Sequence, residues 1–325
     1  MSGRDSKLRQ MKDGPVKPKR VTRKLKKYFI GGYATPLRGD DFRSARLTVP
    51  ARHFAHVQAF RVSLDPVDLE TWTELQAVPD DVCLQTTEYH GSALKIQREL
   101  HGVWINGIGF ALNGSPMEDA FHQAAFEVEA EWQASTFACL HGFYRQAIET
   151  LRAALERTVI GLRYQDDPSN LQFKDWLAGK EAFPFQPICD QLVKENRTVQ
   201  ALNEHLMKSG CARFVWRKQM NMTPEEWIGR LYAELCHYSH CRPNHASGDL
   251  WKGPGPVYDP EAFSLTDRLY RETSTVCWIT AKIARPSLAL PETLATVVAS
   301  AEHSWRSVAE GAGAFLAALD ARRVP

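Results

Sequence analysis

The chain has 325 residues, a net charge of only +2 and 44% hydrophobic residues, enough apolar material for a sizeable core. Its seven cysteines are scattered and form no Cys-x-x-Cys pair, so a disulfide framework is not expected. No stretch approaches the roughly 18 apolar residues of a membrane span, and the first 30 residues contain no signal-peptide apolar region. We therefore expect a cytoplasmic protein that does not cross a membrane.

Positive charge is concentrated in residues 1–30, which hold eleven Lys or Arg against two Asp, a balance of +9. The remaining residues hold 29 basic and 36 acidic side chains, a balance of −7. A segment this charged, poor in apolar residues and interrupted by Pro15 and Pro18, predicts a disordered, flexible arm. Such arms often bind nucleic-acid phosphates, although a purely solubilising tail has the same composition. The candidate nucleic-acid-binding residues of the arm are Lys17, Lys19, Arg20, Arg23, Lys24, Lys26 and Lys27.

Residues 31–114 show a mixed pattern. Apolar and polar residues alternate from Phe60 to Leu64, and a glycine-interrupted apolar run extends from Val103 to Leu112. Both stretches predict short strands, whereas Ser92–Leu100 favours a helix. We therefore predict a small α+β region between the arm and the rest of the chain.

From residue 115 to residue 325 the pattern is helical. Ser115–Glu118 combines an N-cap serine, a proline at the first helical position and a glutamate three residues after the cap, which predicts a helix start. A second helix is predicted from Tyr144 to about Tyr164, with Gly142 at the join. Its apolar stripe consists of Ala147, Ile148, Leu151, Leu155, Val159 and Leu162.

Further helices follow, interrupted by proline and glycine. A second capping box, Thr223–Glu226, opens a helix whose stripe is Trp227, Leu231, Leu235 and Tyr238. The other helices are predicted around Phe173–Leu177, Ile188–Lys194 and Thr198–Met207, from Ser264 to Pro286, and from Pro291 to Leu319. The fold class is therefore mainly α, a helical bundle preceded by the small α+β region and the disordered basic arm.

The segment from Arg230 to His245 contains the side chains best suited to chemistry. Arg230 and His237 are seven residues apart, which places them within about 20° of each other on a helix, two turns apart. Arginine can hold a phosphate and histidine can transfer a proton near neutral pH, so the pair could cleave a phosphodiester. Arg230 and His237 are therefore candidate catalytic residues, and Glu234 lies between them and the core stripe. The purely structural alternative is an i,i+4 ion pair between Arg230 and Glu234.

Two motifs carry a family resemblance. The first motif is Arg230, six intervening residues and His237, which resembles the Arg-x(4-6)-His motif of the HEPN superfamily. Members of this superfamily are helical proteins of bacterial toxin–antitoxin and phage-defence systems. The stretch Tyr144–Glu156 is similar to the Leu-Arg-x-x-Leu-Glu helix of HEPN-like proteins. Residue 231 departs from the pattern, because active members often have a polar residue where this chain has Leu231. The resemblance spans at most residues 117–285 and implies a homodimer that cleaves RNA without a metal ion or cofactor. It implies Arg230 and His237 as the catalytic pair, with His240 or Glu234 as further catalytic residues nearby.

Other interpretations remain open. The first is a non-catalytic regulatory module whose bundle binds a partner protein while the arm holds DNA or RNA. The second is a metal-binding helical protein, because Cys236, His237, His240, Cys241 and His245 supply soft or borderline ligands, although their spacing suits zinc poorly. In the glycine- and proline-rich loop that follows, Trp251 could stack on a base or merely pack against the bundle.

Overall fold

The computed structural model describes residues 78–110, 119–180, 185–215, 226–239 and 256–321. Apart from the first turn of the first helix, these residues belong to one structural unit, Val82–Pro325. They form helices and short connections, so the prediction of a mainly α fold is confirmed for this part of the chain. The helices are α1 (Val78–Phe110), α2 (Ala120–Leu140), α3 (Tyr144–Tyr164), α4 (Leu171–Leu177), α5 (Phe185–Glu195), α6 (Arg197–Lys208), α7 (Trp227–Ser239), α8 (Pro260–Ala284), α9 (Glu292–Ala299) and α10 (His303–Ala321).

Helix α3 lies at the centre of the bundle and packs against α2, α5, α7 and α8. Its bounds match the sequence prediction, and every residue of its predicted apolar stripe is buried. A continuous apolar stripe at 3.6-residue spacing needs partners along its whole length, and these helices supply them. The three shorter helices α4, α5 and α6 also fall where the sequence predicts them.

A turn of three residues joins α2 to α3, so the two helices form a hairpin. Gly142, in the middle of this turn, has a positive φ of 79°. A Cβ atom added there would lie 2.3 Å from the backbone oxygen of Val257, in the segment that leads into α8. Because Gly142 has no side chain, the backbone at Val257 can approach the turn closely.

We expect Gly142→Ala to lower the free energy of unfolding by about 2–4 kcal/mol, because it adds both left-handed backbone strain and a steric clash. Gly210 is a matched control, since its φ is also positive, at 71°, and the described chain has no atom within 4 Å of the added Cβ. Gly210→Ala should lose only the strain, about 1 kcal/mol. Urea unfolding followed by circular dichroism measures both variants, and equal losses would contradict the clash.

The predicted strand at Val103–Leu112 is wrong as far as the structure describes it, because Val103 to Phe110 lie in α1. Leu100, Trp104 and Ile108, spaced by four residues, are buried in the bundle core. Gly107 does not break the helix. The Trp278 ring lies 3.1 Å from where its Cβ would be, so the glycine makes room for a tryptophan. The predicted helix at Ser92–Leu100 lies within α1, which bends at His90.

Three helix boundaries differ from the sequence predictions. Helix α2 begins at Ala120, capped by the Asp119 carboxylate, and α8 begins at Pro260, capped by Asp259. The predicted C-terminal helix is two helices, because α9 ends at the C-cap residue Ser300 and α10 starts at His303. The basic arm, the Phe60–Leu64 alternation and the Ser115–Glu118 capping box lie outside the described residues.

Helix α8 is surrounded by the bundle over its second half, where every residue from Glu272 to Ala284 is buried. Among the helices that the structure describes, none combines the length and apolar character of a transmembrane span. A charged residue within this half of α8 needs an ionic partner, because an unpaired buried charge is strongly unfavourable. Lys282 meets this requirement with Asp320, whose carboxylate lies 2.5 Å from the Lys282 Nζ. Glu272 meets it at the candidate site.

Candidate functional site

Helix α7 positions the predicted site. Trp227, Leu231 and Leu235 are buried in the core and fix the rotation of the helix about its axis. Arg230 and Glu234 are consequently half-buried at the edge of this face, and His237 is exposed one turn further on. The shared helix flank that the sequence predicts is therefore present in the structure.

Arg230 contacts two carboxylates. Its Nη1 lies 3.4 Å from Glu234 Oε2, and its Nη2 donates to Glu272 Oε1 on α8. The Arg230 side chain keeps 27% of its surface exposed, whereas that of Glu272 is fully buried. The indole N–H of Trp227 donates to the same Glu272 oxygen over 2.8 Å. The predicted i,i+4 ion pair exists, but it is one part of a larger network.

Arg268, one turn before Glu272 on α8, completes this network. Its Nη2 donates to Glu234 Oε1, and its Nη1 lies 3.5 Å from Glu272 Oε2. Its Nε lies 3.8 Å from Glu302 Oε1, at the exposed rim. We call Arg230, Glu234, Arg268 and Glu272 the arginine–glutamate cluster. Each arginine in it contacts both glutamates, and its formal charge is zero.

Burial dominates the electrostatics of Glu272. It raises the pKa of the Glu272 carboxyl above its ordinary value, although Arg230, the Trp227 hydrogen bond and Arg268 all act in the opposite direction. For Arg268, burial acts to lower the pKa, but the hydrogen bond and charge of Glu234 and the charge of Glu272 outweigh it and raise the pKa. Glu272 is thus a buried carboxyl group whose negative charge two arginines stabilise.

His237 lies beyond the cluster, two turns from Arg230 and roughly 10 Å along the helix axis. Its ring is exposed and meets the Tyr238 ring edge to face, with 5.1 Å between the ring centroids. An exposed imidazole is accessible to a ligand from solvent and can exchange protons with it. The structure thus brings Arg230 and Glu234 together and leaves His237 one turn from Glu234. His240, Trp251 and the basic residues of the arm lie outside the described residues.

The opposite flank of α7 faces α3. The Tyr232 hydroxyl donates to Glu156 Oε1 over 2.8 Å, and Arg152 Nε lies 3.6 Å from the same oxygen. Phe185 stacks on the Tyr232 ring. Burial, foremost, raises the pKa of the Cys236 thiol on this flank. These contacts hold α7 against α3.

Cys236 and His237 are the only two of the five proposed metal ligands that the structure describes. Within the described ranges, no group of three or more His, Cys, Asp or Glu side chains is arranged to hold a metal ion. His240, Cys241 and His245 lie outside those ranges. The metal-binding interpretation therefore stays a prediction.

Sequence reasoning missed Arg268 and Glu272. A signal for them was present, because they form an Arg-x-x-x-Glu pair, and the residues that follow it, Thr273 to Ala284, hold a single charge, Lys282. Such a stretch marks a helix that is buried on all sides, and a glutamate at its start must be paired. The partner on α7 could not be found in this way, because it depends on how the two helices cross.

The chain was also compared with known proteins. No protein-family model, curated protein or solved structure matches it.

Proposed function

We propose that this protein is a HEPN-like RNA-binding protein that cleaves RNA without a metal ion, as a toxin or effector of a bacterial defence or stress system. Arg230 and His237 are the catalytic pair in this proposal. The observation that supports it best is their position on one accessible flank of α7, with Arg230 partly exposed and His237 exposed. The helix that carries the second HEPN-like motif, α3, packs directly against α7.

The reaction would use the ribose hydroxyl next to the scissile phosphate. His237 accepts the proton of the 2′-hydroxyl, whose oxygen attacks phosphorus, and the bond from phosphorus to the 5′-oxygen breaks. A protonated imidazole, His237 of a second copy in a homodimer, returns a proton to the leaving oxygen. Arg230 stabilises the negative charge that develops on the phosphate oxygens. The products are a 2′,3′-cyclic phosphate and a 5′-hydroxyl.

We expect His237→Ala to reduce the rate of RNA cleavage by at least about 100-fold, because it removes the proton-transfer group. Cleavage of a labelled single-stranded RNA in the presence of EDTA measures the effect. His205→Ala, a partly buried histidine near the end of α6, is the matched control and should cleave like the wild type. A wild-type protein that leaves varied RNAs intact, or a His237→Ala variant that cleaves normally, would contradict the proposal.

A second candidate function is a non-catalytic module that binds nucleic acid through the arm and a partner protein through the bundle. The observation that favours it is the pairing of Arg230 with two carboxylates, one of them fully buried. Deleting residues 1–27 separates the two functions. A binding module loses most of its affinity for nucleic acid, whereas a ribonuclease retains cleavage through α7.

A further inference from the structure

The two carboxylates of the arginine–glutamate cluster are held differently. Glu272 is fully buried, accepts the Trp227 indole N–H and contacts both arginines from the core side. Glu234 keeps 26% of its side-chain surface exposed and contacts the same two arginines from the solvent side. Glu272 is therefore a fixed anchor, while Glu234 can reach water by rotating its own side chain.

Glu234 occupies the position that an anion from solvent would take. Its two oxygens each contact a different guanidinium, Oε2 that of Arg230 and Oε1 that of Arg268. A phosphate group presents pairs of oxygens in the same way, and guanidinium forks bind phosphates and carboxylates by the same hydrogen-bond geometry. Because 26% of the Glu234 side-chain surface is exposed, an anion from solvent can approach both guanidiniums and compete with the Glu234 carboxylate for them.

Displacement of Glu234 changes the charge of the site. With Glu234 in place the cluster is formally neutral. Without its carboxylate, Arg230 and Arg268 over Glu272 have a formal charge of +1. The pocket left by the Glu234 carboxylate is one helical turn from the exposed His237, which follows three residues later on α7. An anion bound there lies next to the proposed proton-transfer residue.

We propose that Arg230 and Arg268 form a clamp for an RNA phosphate, and that Glu234 is a latch that occupies the clamp until the phosphate displaces it. The substrate named here rests on the proposed function, but binding to the clamp can be measured without cleavage. In this arrangement Arg268, which lies outside both HEPN-like motifs, is a second phosphate-binding residue. Glu272 is a positioning residue that holds both guanidiniums from beneath.

Fluorescence anisotropy with a labelled single-stranded RNA oligonucleotide tests the latch in the full-length protein. Glu234→Gln should increase affinity about tenfold relative to the wild type, because it removes the competing charge. Glu310→Gln is the matched control, since Glu310 forms an i,i+4 pair with Arg306 on the exposed face of α10. It makes the same change in net charge, so equal gains in the two variants would overturn the proposal.

A second substitution tests the clamp. Adding Arg268→Gln to Glu234→Gln should abolish the gain in affinity, and a gain that persists would overturn the role of Arg268. If that double variant does not fold, Arg268→Lys takes the place of Arg268→Gln. Lysine keeps a cation beside Glu272 but lacks the guanidinium fork. Inorganic phosphate should compete with RNA for Glu234→Gln more strongly than for Glu310→Gln. Equal competition would show that the gain does not come from phosphate binding.

The same measurements separate this proposal from the proposed function. Glu234→Gln combined with His237→Ala should keep the higher affinity and lose cleavage. If Glu234→Gln binds RNA more tightly but the wild-type protein never cleaves RNA, the ribonuclease is refuted and the clamp stands. Cleavage without any gain from Glu234→Gln would refute the latch alone.

Discussion

Replacing Trp104 by alanine is expected to lower the free energy of unfolding by about 3–5 kcal/mol. The side chain is buried, and its ring lies between those of Trp132 and Trp278, at centroid distances of 4.7 Å and 5.1 Å. Its indole N–H donates to the backbone oxygen of Ala125 over 3.0 Å. The substitution leaves a cavity where α1, α2 and α8 meet and removes these aromatic contacts as well.

Urea unfolding followed by far-UV circular dichroism measures the loss. Trp104→Phe is the matched control, because it keeps an aromatic ring between Trp132 and Trp278, and it should lose clearly less than Trp104→Ala. Phe126→Ala, at an exposed position on α2, should change stability by less than about 0.5 kcal/mol. A loss below about 1 kcal/mol for Trp104→Ala would mean that α1 contributes little to the bundle.

The sequence-based predictions were most accurate for helices with a continuous apolar stripe. In α3 six stripe residues fall on one face, and no other secondary structure satisfies that spacing. The Val103–Leu112 segment was wrongly predicted as a strand because its glycines and apolar residues fit a strand as well as a helix. The deciding factor was a tertiary contact, the Trp278 ring over Gly107, which no local pattern records. The break between α9 and α10 could not be predicted from a proline or glycine, because the residues at the break include neither.

The predicted domain boundary also followed local sequence pattern and not tertiary packing. The sequence separates residues 31–114 from a bundle at 115–325, because the helical pattern becomes clear only after Asn113. Leu100, Trp104 and Ile108 nevertheless share the core of the bundle, and the structural unit extends back to Val82. A change of local pattern marks a change in secondary-structure signal, whereas a domain boundary depends on which side chains pack together.

The candidate site was predictable along one helix and not between helices. The i,i+4 relation of Arg230 and Glu234 follows from helical geometry alone, and so does the flank shared with His237. The contacts of Arg230 and Glu234 with α8 depend on the crossing of two helices that are separated in the sequence by residues 240–259. The sequence therefore identified two of the four residues of the arginine–glutamate cluster.

Glu272→Ala is expected to destabilise the protein by about 3–5 kcal/mol, because it leaves Arg230 and Arg268 without their buried counter-charge. It also removes the acceptor of the Trp227 indole N–H. Glu272→Gln keeps an oxygen for that bond and the volume of the side chain. Because burial raises the pKa of Glu272 in spite of both arginines, the neutral amide should be tolerated better than alanine.

Urea unfolding of three variants distinguishes a counter-charge from a simple packing residue. In the triple variant Arg230→Met, Arg268→Met and Glu272→Leu, the charges disappear together, and stability should return to within about 1–2 kcal/mol of the wild type. The expected order of losses is Glu272→Ala, then Glu272→Gln, then the triple variant. If Glu272→Gln, which keeps the side-chain volume, loses no more than the triple variant, Glu272 acts by filling space. The two guanidiniums would then need another explanation for their position over the core, and the clamp would lose its anchor.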